Sequence, residues 1–307
     1  MRRVINAIFV VTIFASLTVA CATRKEKSVG QVAATPASEN KEPKLVTVSK
    51  EGITFTFDAN DYGEITSKRI KKQVFDDPMP AMAAPEHSCI YLQDKRPLPG
   101  FDQGPRYYFP ARSTICVLPL QDRSERNYLK AYTEIHVASG QLLFLLGRRI
   151  DPIKWGSNLL LPDLWESIRQ AGGSMTAKYS TQKFQAGEGI LFLTQYSQDM
   201  HPTPANNEEL TYSFQGITDD RQFYVAAAFA ITHPELPPGI DSTRSIDSYL
   251  QRTKKVNGEL QVDNSYLEED EKTLEKLAEE SFQPSLKKIQ ALISTLKIEG
   301  ASKLKDR

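Results

Sequence analysis

Three stretches in the second half of the chain decide its fold: residues 190–198 (ILFLTQYSQ), 210–217 (LTYSFQGI) and 222–231 (QFYVAAAFAI). Each has the length of a β-strand and is rich in the aromatic and β-branched residues that strands favour. Turn residues separate them, with Gly187-Glu188-Gly189 before the first stretch and a tight turn at 218–221 before the last. Strands joined in this way predict an antiparallel meander of hairpins.

Further strand patterns lie earlier in the chain. Residues 52–57 (GITFTF) alternate apolar and polar side chains, as a half-buried strand does. Short apolar runs bounded by loop signals occur at 88–92 (SCIYL) and 113–118 (STICVL). Residues 64–75 and 175–185 complete the set of predicted strands.

Helical spacing of apolar residues appears in the middle of the chain and again at its end. It covers 124–146, a shorter stretch at 162–170 closed by Gly172-Gly173, and 266–282. A last amphipathic helix, begun by a Pro-Ser pair, runs over 284–296. The sequence therefore predicts an α+β protein, an antiparallel β-sheet with a mid-chain helix and C-terminal helices packed on it.

The first twenty residues have the composition of a secretory signal peptide. Arg2 and Arg3 precede an apolar run over 4–19, and small residues end it. The run is too short for a settled transmembrane helix, which needs about 20 apolar residues. We therefore expect export of the chain and removal of residues 1–20.

Thr18-Val19-Ala20-Cys21 resembles the lipobox of bacterial lipoproteins, where a signal peptidase cuts before a lipidated cysteine. Thr18 departs from the pattern, which usually has Leu, Val or Ile three residues before the cysteine. The resemblance implies that acyl chains such as palmitate, attached at Cys21, hold the protein to the cell membrane. Ordinary secretion with an unlipidated Cys21 is the alternative. By resemblance to enterobacterial sorting, Ala22 favours the outer membrane, facing the periplasm or the exterior.

Composition divides the rest of the chain. Residues 21–45 contain no aromatic residue and many polar ones, which predicts a lipidated N-terminus followed by a flexible tether. Residues 46–298 form a single predicted α+β domain, and 299–307 a loose tail. The chain has 38 basic and 38 acidic residues, without the basic excess of a nucleic-acid-binding protein. We therefore expect the membrane and a protein as partners, and no nucleic acid.

The two cysteines outside the lipobox, Cys89 and Cys116, form an even pair in a chain expected to be exported. Exported chains are the setting in which disulfides form. We predict that the two are linked, which stabilises a fold by roughly 3 to 4 kcal/mol in the chain-entropy model. The alternative is a pair of separately buried thiols.

An aromatic cluster lies between the two cysteines, in a segment rich in Pro and Gly: Arg106, Tyr107, Tyr108 and Phe109. The rings either pack against their own loop or form a surface recognition loop that the disulfide holds at its base. The sequence leaves both readings open.

The sequence contains no recognised catalytic or cofactor motif. A G-x-S-x-G nucleophile elbow, a phosphate-binding G-x-x-x-x-G-K-[ST] loop and an H-E-x-x-H zinc motif are all absent. The histidines are His87, His136, His201 and His233, none within four residues of another, so no pair has the local spacing of metal ligands. We therefore expect no cofactor and no metal. His201 and His233, each before a proline in a loop beside the meander, are the strongest histidine candidates.

Several short motifs lie between 192 and 237. They are Phe192-Leu193-Thr194-Gln195-Tyr196, Asn207, Phe214-Gln215-Gly216, Thr218-Asp219, and Tyr224-Val225 onward to Pro234. On these points the chain resembles a domain of bacterial lipoproteins that has no assigned function, and the resemblance implies no activity. The order of elements is also similar to that of Mog1/PsbP-like α+β domains. Such domains are mostly binding and assembly modules, although fold alone does not fix function.

Three functions fit these observations. The leading hypothesis is a membrane-tethered, non-enzymatic binding or assembly module in the periplasm or at the cell surface. The second is a tethered hydrolase whose site is assembled only in three dimensions, which convergent His, Asp or Ser side chains would favour. The third is a carrier that holds an apolar ligand in a deep pocket.

Overall fold

The computed structural model describes residues 42–72, 84–96, 113–120, 133–149, 161–164, 172–173, 175–197, 203–239, 253–256, 259–262 and 265–301. The strands are β1 (Leu45–Lys50), β2 (Ile53–Asp58), β3 (Tyr62–Ile70), β4 (His87–Asp94), β5 (Ser113–Pro119), β6 (Gly172–Gly173), β7 (Ala177–Phe184), β8 (Gly187–Ser197), β9 (Leu210–Thr218), β10 (Phe223–Ala230), β11 (Thr253–Val256), β12 (Glu259–Val262) and β13 (Lys297–Ile298). The helices are α1 (Thr133–Arg148), α2 (Ser265–Lys276) and α3 (Leu286–Ser294), with a 3-10 turn at Glu279–Ser281.

The largest sheet has eight strands, and every pair in it is antiparallel. Its order is β3-β4-β5-β10-β9-β8, and both β7 and β6 pair with the far side of β8. The predicted meander forms β8, β9 and β10, three consecutive neighbours in this sheet. With α1 between strands and α2 and α3 at the end of the described chain, the predicted α+β class is confirmed.

A smaller sheet contains β1, β2 and β13, in that order. Glu51 and Gly52 join β1 to β2 with positive φ angles of 50° and 76°, the conformation of a two-residue type I′ hairpin turn. The predicted alternation is confirmed in β2, because Ile53, Phe55 and Phe57 are all buried. These three side chains form the core face of the small sheet.

Two hydrophobic clusters lie on the large sheet. One contains the apolar face of β2 together with Leu274 of α2 and Ile289 of α3, so the small sheet and the C-terminal helices share it. The other contains Leu142 and Leu145 of α1, packed with Tyr196 and other side chains of the sheet. Among the described helices, α1 is the one that covers this second face.

Gly187 and Gly189 lie inside β8, so the prediction that they form a turn is wrong. The turn consists instead of residues 185–186. Gly189 is needed because an added Cβ would lie 2.6 Å from the ring of Phe214, and closer still to the carbonyl oxygen of Gln215. The Phe214 ring packs edge-on against Phe184, with the ring centroids 6.0 Å apart. These glycines make room for aromatic rings that cover the strand.

Other elements differ from the prediction, mostly where a segment becomes a strand by pairing with residues distant in sequence. Gly172-Gly173, expected to end a helix, pairs with residues 196–197 of β8. The hairpin of β11 and β12 and the short strand β13 were not predicted. The helix expected over 266–282 ends at Lys276 and is followed by the 3-10 turn.

The described fold begins a few residues before the predicted end of the tether. The backbone N–H of Lys44 donates to Oδ1 of Asp58 at 3.0 Å, and its carbonyl accepts from Ala59 at 2.8 Å. Within the described ranges, no helix is long and apolar enough to cross a membrane. The predicted signal peptide at 1–20, the lipidation site Cys21 and the tail after 301 lie outside these ranges.

Candidate functional site

The disulfide predicted from the cysteine count is confirmed. Cys89 on β4 and Cys116 on β5 lie directly opposite each other, with Cα atoms 4.1 Å apart and their sulfurs bonded. Both are buried, in the cluster of apolar side chains that α1 covers. The antiparallel register of the two strands is therefore what brings these sulfurs together.

His87 lies two residues before Cys89, so its side chain is on the same face of β4. Its Nδ1 donates a hydrogen bond of 2.8 Å to the carbonyl oxygen of Pro85, since a carbonyl can only accept. Burial lowers the pKa of His87, against the opposite effect of that hydrogen bond. A ring nitrogen of His87 and the sulfurs of Cys89 and Cys116 lie within 4.8 Å of one another. Sequence reasoning missed this cluster because it compared histidines only with each other.

A buried polar network lies on the same side of the sheet. Asp163 accepts from the hydroxyl of Tyr196 at 2.5 Å and from Nε2 of Gln215 at 3.0 Å. Tyr224 donates to Oε1 of Gln215 at 2.9 Å, and the N–H of Leu164 donates to the same oxygen at 3.3 Å. Burial raises the pKa of Tyr224, and the charge of Asp163 raises it further. The network fastens the segment 161–164 to β8, β9 and β10.

His233 lies next to a hydroxyl, as a Ser–His hydrolase requires. Its Nε2 is 2.7 Å from Oγ of Ser281. The backbone N–H of Glu235 donates to Nδ1 at 3.2 Å, which places the ring proton of neutral His233 on Nε2. Nε2 therefore donates to Ser281, whose own hydroxyl donates to the carbonyl of Ala278 at 2.6 Å. The lone pair of the His233 ring is on Nδ1, away from Ser281, so His233 cannot accept the proton of the Ser281 hydroxyl. The hydrogen bond between the two side chains instead connects the 3-10 turn to the loop after β10.

Three other motif residues between 192 and 237 also have structural partners. Nε2 of Gln195 donates to Oγ1 of Thr203 at 2.7 Å. Asn207 donates to two carbonyl oxygens of the loop after β10, both at 3.0 Å. Thr218 accepts backbone N–H groups of the next turn at 3.0 and 3.2 Å. These motif residues therefore specify loops and turns of the meander.

On the opposite face of the large sheet, Arg96 forms an ion pair at the end of β4 and hydrogen bonds to the segment after the 3-10 turn. Nη2 of Arg96 lies 2.7 Å from Oδ1 of Asp94, whose side chain is 2% exposed. Arg96 also donates to Thr232 at 3.2 Å and to the carbonyl oxygen of Gln283. Burial raises the pKa of Asp94 even though Arg96 acts in the opposite direction.

The outer face of α1 is exposed, and it is apolar as far as Arg148, whose guanidinium carbon lies 5.3 Å from the centre of the Phe144 ring. Val137 is 52% exposed and Phe144 is 45% exposed, and Leu45 is the other large apolar side chain in the described residues with comparable exposure. Gly140 and Gly147 are exposed on the same helix, and an added Cβ at either would meet no atom of the described residues within 4 Å. This combination, defined by these four α1 residues, is called the α1 outer face below.

The chain matches no family model, no curated protein and no solved structure. The resemblance to lipoprotein domains and to Mog1/PsbP-like domains therefore remains a prediction.

The remaining predicted site residues lie outside the described ranges. They are Cys21, His201 and the recognition-loop residues Arg106, Tyr107, Tyr108 and Phe109. His136 lies on α1, half-buried, and burial lowers its pKa.

Proposed function

We propose that the protein is a lipoprotein, tethered to a bacterial membrane by a lipid on Cys21, and that its folded part is a non-enzymatic assembly module. The signal-like residues 1–20 and the lipobox-like residues before Cys21 support the tether. Ala22 favours the outer membrane. The observation that supports assembly is the α1 outer face, and the protein partner that it fits best is a second copy of this chain.

A helix that lies on a sheet normally presents a polar face to water. Helix α1 has no charged residue between Ile135 and Gly147, and its exposed positions include Val137 and Phe144. Exposed apolar groups on one face mark an interaction surface when they are contiguous. Val137 and Phe144 are seven residues apart, two turns of helix, so they lie on one stripe.

The glycines of the stripe point to a close neighbour. Glycine in a helix interior costs about 1 kcal/mol relative to alanine. Neither Gly140 nor Gly147 has a positive φ, and neither faces an atom of the described residues that a Cβ would touch. Nothing in the described chain therefore requires them. A helix approaching from outside does, because small residues let two helices pack closely.

The stripe is complementary to itself in an antiparallel arrangement. If two α1 helices cross with residue 142 of each at the centre, Val137 faces Gly147 of the other copy and Gly140 faces Phe144. Each large side chain then enters the space above a glycine, as knobs enter holes in helix pairs. Both contacts occur twice by symmetry, which is the pattern of a two-fold dimer.

Cysteine cross-linking in intact cells tests this arrangement. Gln141 is half-buried and lies beside the proposed two-fold axis, so Gln141→Cys in one copy should link to the same residue in the other through a short bismaleimide. Glu269→Cys, on the exposed side of α2, is the matched control. The proposal expects a dimer band for the first variant and none for the second. Equal cross-linking of both variants, or of neither, contradicts it.

A further inference from the structure

The cluster of His87, Cys89 and Cys116 has the donor set of a metal site. Its three candidate ligand atoms lie within 4.8 Å of one another, and all three residues are buried. Two thiolates and one imidazole are the protein ligands of one class of zinc site, in which the fourth position holds water.

The strands keep the two cysteines opposed when the disulfide is open. Backbone pairing of β4 with β5 continues on both sides of the cysteines, from Ser88 opposite Val117 to Leu92 opposite Ser113. Directly opposed residues have Cβ atoms about 4.5 to 5.5 Å apart, a spacing at which two thiolates reach one ion. Reduction therefore removes the sulfur–sulfur bond without removing the placement of the sulfurs.

The hydrogen bonding of His87 leaves one ring nitrogen able to bind a metal. Nδ1 of His87 donates to the carbonyl oxygen of Pro85, which leaves the lone pair of the neutral ring on Nε2. Ligating histidines usually fix their second ring nitrogen by donating to a carbonyl or carboxylate in this way.

Charge selects the ion. The cluster lies among apolar side chains such as Leu118, and a net charge buried there is costly. Two thiolates neutralise a divalent cation, whereas a monovalent one leaves an excess negative charge. Borderline-soft Zn²⁺ accepts sulfur and nitrogen ligands together.

We propose that reduction of the Cys89–Cys116 disulfide converts this cluster into a Zn²⁺ site whose protein ligands are His87, Cys89 and Cys116. A small dithiol supplies the two electrons and two protons and is itself oxidised to a disulfide. Zn²⁺ then displaces one proton from each of the two thiols, and water occupies the fourth position. The site is independent of the α1 outer face and of the lipid.

Metal titration of the full chain tests the proposal. The protein is reduced with a water-soluble phosphine and titrated with Zn²⁺ against a chromophoric chelator, and then with Co²⁺ as a spectroscopic probe. The expected result is one equivalent of bound Zn²⁺, with thiolate-to-cobalt charge-transfer absorption and the d–d bands of a tetrahedral ion. The oxidised wild-type chain is the matched control, because it has the same fold and Cys21, but no thiols at Cys89 and Cys116.

Variants separate the ligands from general thiol chemistry. Cys116→Ser should abolish tight binding and the charge-transfer band. His87→Ala should weaken Zn²⁺ binding more than about tenfold, since even second-shell partners are worth 10–100-fold. The proposal is overturned if the reduced wild type binds no stoichiometric Zn²⁺. It is equally overturned if the oxidised chain or His87→Ala binds as tightly.

Discussion

Replacing Gly140 and Gly147 by alanine should change two quantities in opposite directions, making the single protomer more stable and the dimer weaker. Neither new methyl group meets an atom of the described residues within 4 Å, so the substitutions carry no steric cost within the described part of the protomer. Alanine is the better helix former by about 1 kcal/mol in a helix interior, which applies to Gly140, and by less at Gly147, one residue before the end of α1. The double variant should raise the free energy of unfolding by about 1 to 2 kcal/mol. At about 2 to 4 °C per kcal/mol for a domain of this size, its melting temperature should rise by roughly 2 to 8 °C.

The same two methyl groups should weaken the dimer. In the proposed pair, Gly140 faces Phe144 and Gly147 faces Val137, so each methyl occupies the space that a partner side chain needs. Overpacking of a tight contact typically costs about 1 to 3 kcal/mol. Since 1.4 kcal/mol is about tenfold in affinity, the dissociation constant should rise at least tenfold.

Two measurements on the chain from residue 22 onward give both quantities. Urea unfolding at concentrations low enough for a single protomer gives the stability, and sedimentation velocity over a concentration series gives the dissociation constant. Gly189→Ala is the control for steric reasoning, because its Cβ would lie 2.6 Å from the Phe214 ring and should destabilise the fold. A double variant that is more stable but has the wild-type dissociation constant refutes the proposed pairing of two α1 helices. A double variant that is less stable refutes the claim that nothing in the protomer contacts the two glycines.

Three further perturbations have defined outcomes. Cys21→Ala should move the protein from the membrane to the soluble fraction, and unchanged sedimentation with membranes would refute lipid tethering. Arg96→Met should lower the free energy of unfolding in urea by about 3 to 5 kcal/mol at pH 7, because it leaves Asp94 buried without its cation. The loss should fade as the pH falls through the folded-state pKa of Asp94, which burial raises, because a protonated Asp94 no longer needs the cation, and a pH-independent loss would contradict this cause. Tyr196→Phe removes the 2.5 Å bond to Asp163 and should cost about 1.5 to 3 kcal/mol, whereas an unchanged urea midpoint would show that the network is not stabilising.

The strands could be predicted where the alternation of apolar residues in the sequence matches the face that is buried in the fold. Ile53, Phe55 and Phe57 alternate in the sequence because one face of β2 is buried, and the meander is marked by its own turns. The glycines of β8 were misread because glycine usually indicates a turn. Their reason is the Phe214 ring, whose position depends on β9 pairing with β8. The pairing of β13 with β2 also depends on residues far apart in sequence.

The candidate site was predictable in part for the same reason. An even pair of cysteines in an expected exported chain was enough to predict the disulfide. The place of His87 beside it requires the β4–β5 register, and the contact of Asp163 with Gln215 joins residues 52 positions apart. The α1 outer face requires knowing which side of the helix the sheet covers. Apolar residues occur on every side of this helix, so the sequence does not show which of them face the sheet. Only the packing of α1 on the sheet shows that Val137 and Phe144 are left exposed.

The central claim is that the folded part assembles through the α1 outer face. The most direct measurement is the mass of the chain from residue 22 onward in sedimentation equilibrium, for the wild type and for Phe144→Glu. Glutamate at 144 places a charge against Gly140 of the partner helix. In a single protomer the same charge stays in water, because the side chain at this position is 45% exposed. The account predicts twice the protomer mass for the wild type and a single protomer mass for the variant. A wild type that stays at one protomer mass at every concentration, or a variant with the wild-type mass, would contradict it.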